Sequence, residues 1–233
     1  MFHFKEETIN FMKDLSKNNN KDWFNANRDR YEKYFLAPAI EFVKTMGEKL
    51  IKISPDVNVV PKVDGSIFRI YRDARRHKGK APFKNHMGIT FWYGNSRIES
   101  VCYYLHIEPP FYYTGVGMAY FSPYAIKAFR NAVTIEKSAK QLQDILNLAE
   151  KEGWSIDADK IKKYPKGFTP LKNYEDLLLY KSLSLSDEMP INKDFYSNDF
   201  FRRVLDIYTK MTPYYNWLKD VVIKAKTMDN PCK

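Results

Sequence analysis

The chain has 233 residues, 44% hydrophobic and 16% aromatic, which supplies a substantial core and excludes a disordered protein. Its 38 Lys and Arg outnumber 28 Asp and Glu, and the formal charge of +10 points to an anionic partner. Two cysteines, Cys102 and Cys232, exclude a disulfide framework and a metal-knuckle spacing.

The opening MFHFKEETINFMKDL mixes charge with apolar residues and lacks an export h-region, and no run of 18 apolar residues occurs, so a cytoplasmic protein without a membrane span is expected. No Gly/Ser/Pro-rich linker divides the chain, which predicts one domain over 1–233. Ile9, Met12 and Leu15 recur at helical spacing and predict a helix over 6–16, stopped by the three asparagines at 18–20. Asn20 is placed to cap a second helix reaching Tyr34, with Trp23, Phe24, Tyr31 and Tyr34. Pro38 suits the first turn of a third, whose apolar face runs through Ile40, Val43, Gly47, Leu50 and Ile51.

Pro55, Pro61 and Gly65 then mark a change to period-two patterning, with short strands expected at 57–60 and 66–71. Two longer strands follow, 86–93 and 99–108, joined through a Gly94-Asn95 hairpin signal. Alternation puts Val101, Tyr103, Leu105 and Ile107 on one face and Cys102, Tyr104, His106 and Glu108 on the other. Met87, Ile89, Phe91 and Tyr93 form the apolar side of the first strand, leaving His86, Thr90 and Trp92 opposite. If both apolar sides share one core, antiparallel pairing matches even positions with even, sets His86 across from His106 and brings Lys84 near Glu108. A strand over 111–120 carries Gly115 and Gly117 on one face, where they are expected to leave a shallow trough beside Tyr104 and His106.

Ser122 and Pro123 announce a helix over 124–132, and a second is expected over 136–150 with Leu142, Ile145, Leu146 and Ala149 inward. Residues 154–172 read as a surface loop, 174–179 as a short helix and 181–186 as a strand. A long helix over 199–226 ends the pattern, and Pro213 should kink or divide it. The fold class is α+β: a central, largely antiparallel sheet over about 57–120, with 181–186 as a candidate addition, packed by N-terminal helices and the long C-terminal helix.

Much of the charge is concentrated in Arg69 to His86, RIYRDARRHKGKAPFKNH, where seven Lys and Arg face one acid. The blocks NNNKDWFNANRDRYEKY, GSIFRIYRDARRHKGKAPFKNHMGI, YYLHIEP and LLLYKSLSLS together resemble the domain of unknown function 2461 family over most of the chain. The strongest block is an FRIYRD strand end, a basic loop, and Pro-Phe-Lys before another strand. The resemblance implies no assigned activity, and the family's Gly-rich stretch is represented here by TGVGM, with fewer glycines.

Arg69, Arg72, Arg75, Lys80 and Lys84 are the candidate ligand-binding residues, because guanidinium forks match phosphate and carboxylate oxygens. Period two points Arg69 and Arg72 to opposite faces, so one of them is a candidate for partial burial and pairing with Asp73. His86, His106 and Glu108 are the candidate catalytic groups, as proton carriers beside that loop. They have the composition of a two-His-one-carboxylate metal face, but the positive surroundings oppose a cation and no metal is assigned. No P-loop, dinucleotide fingerprint, nucleophile elbow or RNP signature occurs. Two classes remain: a protein that holds a phosphate-bearing or other anionic small molecule, with or without catalysis, and a nucleic-acid or acidic-protein binding module without chemistry. The sequence assigns no cofactor and no oligomeric state.

Overall fold

The computed structural model describes residues 2–73, 75, 79–118 and 120–229; Cys232 and residues 74 and 76–78 of the basic stretch lie outside the described residues. Helix α1 (Glu6–Lys17) buries Ile9, Phe11, Met12 and Leu15, the spacing expected of its apolar face. Asn20 accepts a hydrogen bond from the Trp23 amide and starts α2 (Lys21–Ala26). The helix expected to reach Tyr34 instead breaks at Asn27, whose side chain donates to the Trp23 carbonyl. From α3 (Arg28–Tyr31) the chain stays helical through a π-helical stretch, Glu32–Leu36, into α4 (Ala37–Ile53). Pro38 lies in the first turn of α4, where a proline's missing N–H is tolerated, so it does not separate two helices. The buried face of α4 is Ala39, Phe42, Val43, Met46, Gly47 and Leu50, whereas Ile51 is 46% exposed. Phe42 and Met46, four apart, set that face and rotate it from the expected Ile40–Ile51 stripe.

Between the helices and the sheet, β1 (Val57–Asn58) is only two residues long, and 66–71 makes isolated bridges, Ile67 to Ile89 and Tyr71 to Phe83, rather than a strand. Strands β2 (Met87–Tyr93), β3 (Cys102–Glu108) and β4 (Phe111–Gly117) follow close to the expected limits. In β3, Tyr103, Leu105 and Ile107 are buried, with the even positions half-exposed, as alternation requires. In β2, Thr90 and Trp92 are buried along with Ile89 and Phe91, so both faces of its middle are covered.

Ser122 caps α5 (Pro123–Val133) through the Ala125 amide, and α6 (Glu136–Glu152) buries Ala139, Leu142, Leu146 and Ala149. The segment read as loop contains β5 (Ser155–Asp157), which pairs antiparallel with β6 (Ser184–Pro190). The sheet has six strands in the order β1-β2-β3-β4-β6-β5. Helix α7 (Asn198–Asp229) is undivided, with Pro213 inside it. No helix among the described residues is long and apolar enough to cross a membrane.

The trough expected at Gly115 and Gly117 is filled. A Cβ at 115 would overlap the Leu185 carbonyl oxygen, and one at 117 would come within 2.5 Å of the Ser184 Cβ. These glycines admit the backbone of residues 184–186 rather than a ligand.

Contacts group the chain into two compact units: Met1–Phe91, Tyr104–Thr114 and Glu188–Ile207 in the first, Trp92–Tyr103, Gly115–Asp187 and Tyr208–Lys233 in the second. The first has a core of phenylalanines in which Phe4 packs against Phe42, Phe195 and Phe200. In the second, Tyr103 stacks on Tyr215 at 4.4 Å, and the Tyr214 hydroxyl donates to the Leu183 carbonyl at 2.8 Å.

Asn19 has a larger role than ending a helix. Its side chain donates to the Phe83 carbonyl and accepts from the Phe83 amide, both at 3.0 Å, and so completes a backbone-like pair with the far end of the basic stretch. Asn19→Ala leaves the half-buried Phe83 amide unpaired and its carbonyl with Arg72 Nε alone, and a loss of about 1–2 kcal/mol is expected, read as the shift in urea midpoint. An Asn19→Ala midpoint equal to wild type would mean that water replaces the clamp.

Candidate functional site

The site grows from the half-exposed face of β3 and the residues that lead into β2. His86 and His106 stack with ring centroids 4.3 Å apart and an interplanar angle of 28°, the juxtaposition inferred from strand parity. Tyr113 of β4 extends the stack, 4.4 Å from His106 at 13°. Glu108, two residues along β3, places Oε2 3.1 Å from His106 Nε2. Its other oxygen accepts from Asn85 Nδ2 at 2.8 Å. One ligand-type atom from each of His86, His106 and Glu108 lies within 4.8 Å of the others.

Asn85 and His86 are held by a short neck. The Arg72 amide donates to Pro82 O and the Lys84 amide to Ile70 O, both at 2.8 Å, while Phe83 stacks on Phe24 at 4.2 Å and takes the Asn19 clamp. Arg72 Nε donates to the Phe83 carbonyl at 2.9 Å, and Nη2 reaches Asn85 Oδ1 at 3.4 Å. Arg72 therefore fixes the neck and points its remaining charge toward the Asn85–Glu108 pair. Lys84 lies over the Phe68 ring, its Nζ 5.5 Å from the centroid.

The remaining basic residues are distributed differently from the expectation of one anion cradle. Arg69, Arg75 and Lys80 are exposed. Asp73 binds Arg75 through side-chain bonds at 3.0 and 2.9 Å, where pairing with Arg69 or Arg72 was expected. Two of the five candidate cations, Arg72 and Lys84, adjoin the histidine pair, and both act electrostatically on His86.

Burial and the neighbouring His106 push His86 down to about 4, with Lys84 and Arg72 adding to the effect and Glu108 opposing it. His106 is also lowered: its burial outweighs the hydrogen bond and charge of Glu108. For Glu108, burial works upward, but His106, His86 and the Asn85 hydrogen bond together hold the carboxyl below its ordinary value. Near neutral pH the cluster therefore consists of two uncharged imidazoles beside one carboxylate.

Next to it lies a cavity of about 220 Å³ lined by Met12, Lys13, Ser16, Lys17, Asn85 and Pro109. Asn85 is its wall and also the anchor of Glu108. Sequence reasoning missed Asn85, the stacking of Tyr113 on His106 and the α1 residues. Lys13, Ser16 and Lys17 on the solvent face of the first helix were the available signal, at i, i+3 and i+4.

A family model described as a conserved hypothetical protein (DUF2461) matches residues 7–217. None of the curated proteins matches the chain.

Proposed function

The chain belongs to the DUF2461 family, whose description names no reaction, and from its own residues we propose that it binds a small phosphate-bearing anion in the cavity between α1 and Asn85. The observation that supports this reading best is the shared position of Asn85. One residue lines a cavity flanked by Lys13 and Lys17 and also holds Glu108 of the histidine cluster. Lys13 and Lys17 supply charge, Ser16 and Asn85 supply neutral hydrogen bonds, and Met12 and Pro109 supply apolar contact, a lining suited to a small polar ligand. His86, His106 and Glu108 are the groups through which chemistry on that ligand would run, with Arg72 and Lys84 balancing its charge.

A second reading is favoured by one observation: Arg69, Arg75 and Lys80 are exposed and line no part of this cavity. Such a display suits a nucleic acid or an acidic protein surface.

The two readings separate in melting curves taken with chelator present, against phosphate, sugar phosphates and short oligonucleotides at low and moderate salt. Small anions at 100 times Kd are expected to stabilise by about 2.7 kcal/mol, a rise of roughly 5–10 °C for a chain of this size. Lys13→Ala/Lys17→Ala should abolish that rise, and Arg75→Ala/Lys80→Ala should leave it. Stabilisation by oligonucleotides alone, collapsing with salt and lost in the second pair, would replace the first reading with the second.

A further inference from the structure

We infer that His86, His106 and Glu108 are the protein ligands of a divalent first-row transition-metal ion. Two imidazoles and a carboxylate form a mixed nitrogen and oxygen donor set of the kind that Zn²⁺, Fe²⁺, Co²⁺ and Ni²⁺ take. Two ligand atoms about 2.1 Å from one tetrahedral ion lie about 3.4 Å apart. His106 Nε2 and Glu108 Oε2, at 3.1 Å, already stand at nearly that spacing. The whole set lies within 4.8 Å, so small side-chain rotations bring all three atoms onto one ion.

The ion takes the place of the hydrogen between His106 and Glu108, and the ring proton moves to Nδ1. Asn85, donating to the other Glu108 oxygen at 2.8 Å, orients the carboxylate. Tyr113, stacked on His106, restrains that ring. Both are the outer contacts by which metal ligands are commonly aligned. All three ligands are half-buried, so the ion is reachable from solvent and keeps positions that the chain does not fill.

Arg72 and Lys84 oppose a bare cation here and favour one that carries an anion on its open side. Metal and anion are therefore expected to strengthen one another by the same factor. That coupling rests on the proposed anion site; the metal site itself does not.

The experiment is a titration of the chelator-stripped full chain with Co²⁺, followed by visible absorption, and with Zn²⁺, followed by calorimetry. One ion per chain is expected, with Co²⁺ bands of mixed imidazole and carboxylate coordination. His106→Ala and Glu108→Gln should abolish saturation, Asn85→Ala should weaken binding by about 10–100-fold, and His3→Ala should change nothing. Saturable binding that is absent in the wild type, or that survives both His106→Ala and Glu108→Gln, would overturn the inference. If a variant fails to fold, the wild-type Co²⁺ spectrum decides alone, since bands without imidazole coordination exclude this site. Phosphate stabilisation in chelator without Co²⁺ binding would remove the metal and leave the anion site; Co²⁺ binding without any phosphate response would do the reverse.

Discussion

Gly115→Ala is expected to destabilise the protein by about 3 kcal/mol or more, the upper end of overpacking costs, because the added methyl meets backbone that cannot rotate aside. The obstacle is the Leu185 carbonyl, held within β6 where that strand pairs with β5. Relief requires β4 and β6 to part, and with them the ladder hydrogen bonds. At Gly117 the nearest atom, the Ser184 Cβ, stands farther from the added methyl than that carbonyl does, so Gly117→Ala should cost less. Gly153 provides the control: its φ of +74° is left-handed, but nothing lies within 4 Å of an added Cβ. Gly153→Ala should therefore lose only about 1 kcal/mol, from backbone conformation. Urea denaturation of the three variants orders them directly. A Gly115→Ala protein no less stable than Gly153→Ala would mean that the two strands are not in close contact at this point.

Acid is expected to destabilise the protein through His86. In the unfolded chain this imidazole takes up a proton near 6.5, whereas burial and His106 delay uptake in the folded chain until about 4. Above pH 7 neither state is protonated there and His86 adds no pH dependence. Between 6.5 and 4 the unfolded state binds the proton alone, so stability falls as pH falls, and below 4 this contribution levels off. Allowing for the partial exposure of the ring, the loss between pH 7 and pH 5 is about 1–2 kcal/mol. His106 is lowered too and adds in the same direction, while Glu108, held low, gives up its own stabilisation only in stronger acid. Urea midpoints at pH 7 and 5, taken in chelator, measure the slope, and His86→Gln should flatten it. A slope retained in His86→Gln would place the acid sensitivity elsewhere.

The histidine pair was legible in the sequence because strand parity is a strong constraint. A buried face fixes which residues share a side, and the even positions of 86–92 and 102–108 then had to meet. The α+β class, the capping residues Asn20 and Ser122 and the length of the last helix were legible for similarly local reasons. What escaped was set by distant partners. Glycines in a strand read equally as room for a ligand or as room for backbone, and only β6 decides between them. Asn85 carries no pattern of its own, since its role depends on Glu108 and Arg72, 23 and 13 residues away. The five cations looked equivalent along the chain. Arg72 was separated from the exposed ones by the carbonyl of Phe83, a contact made only after the chain turns back.

That turn back has a consequence for variation. The chain up to Asp73 and the chain from Pro82 onward are joined at one neck, pinned by Arg72 to Pro82, Lys84 to Ile70 and Asn19 to Phe83. Since doubling the length of a closed chain segment adds only about 0.6 kcal/mol of closure cost, insertions between the two sides of the neck are expected to cost little stability. The neck thereby separates changes in the residues it encloses from the spacing of the imidazole stack.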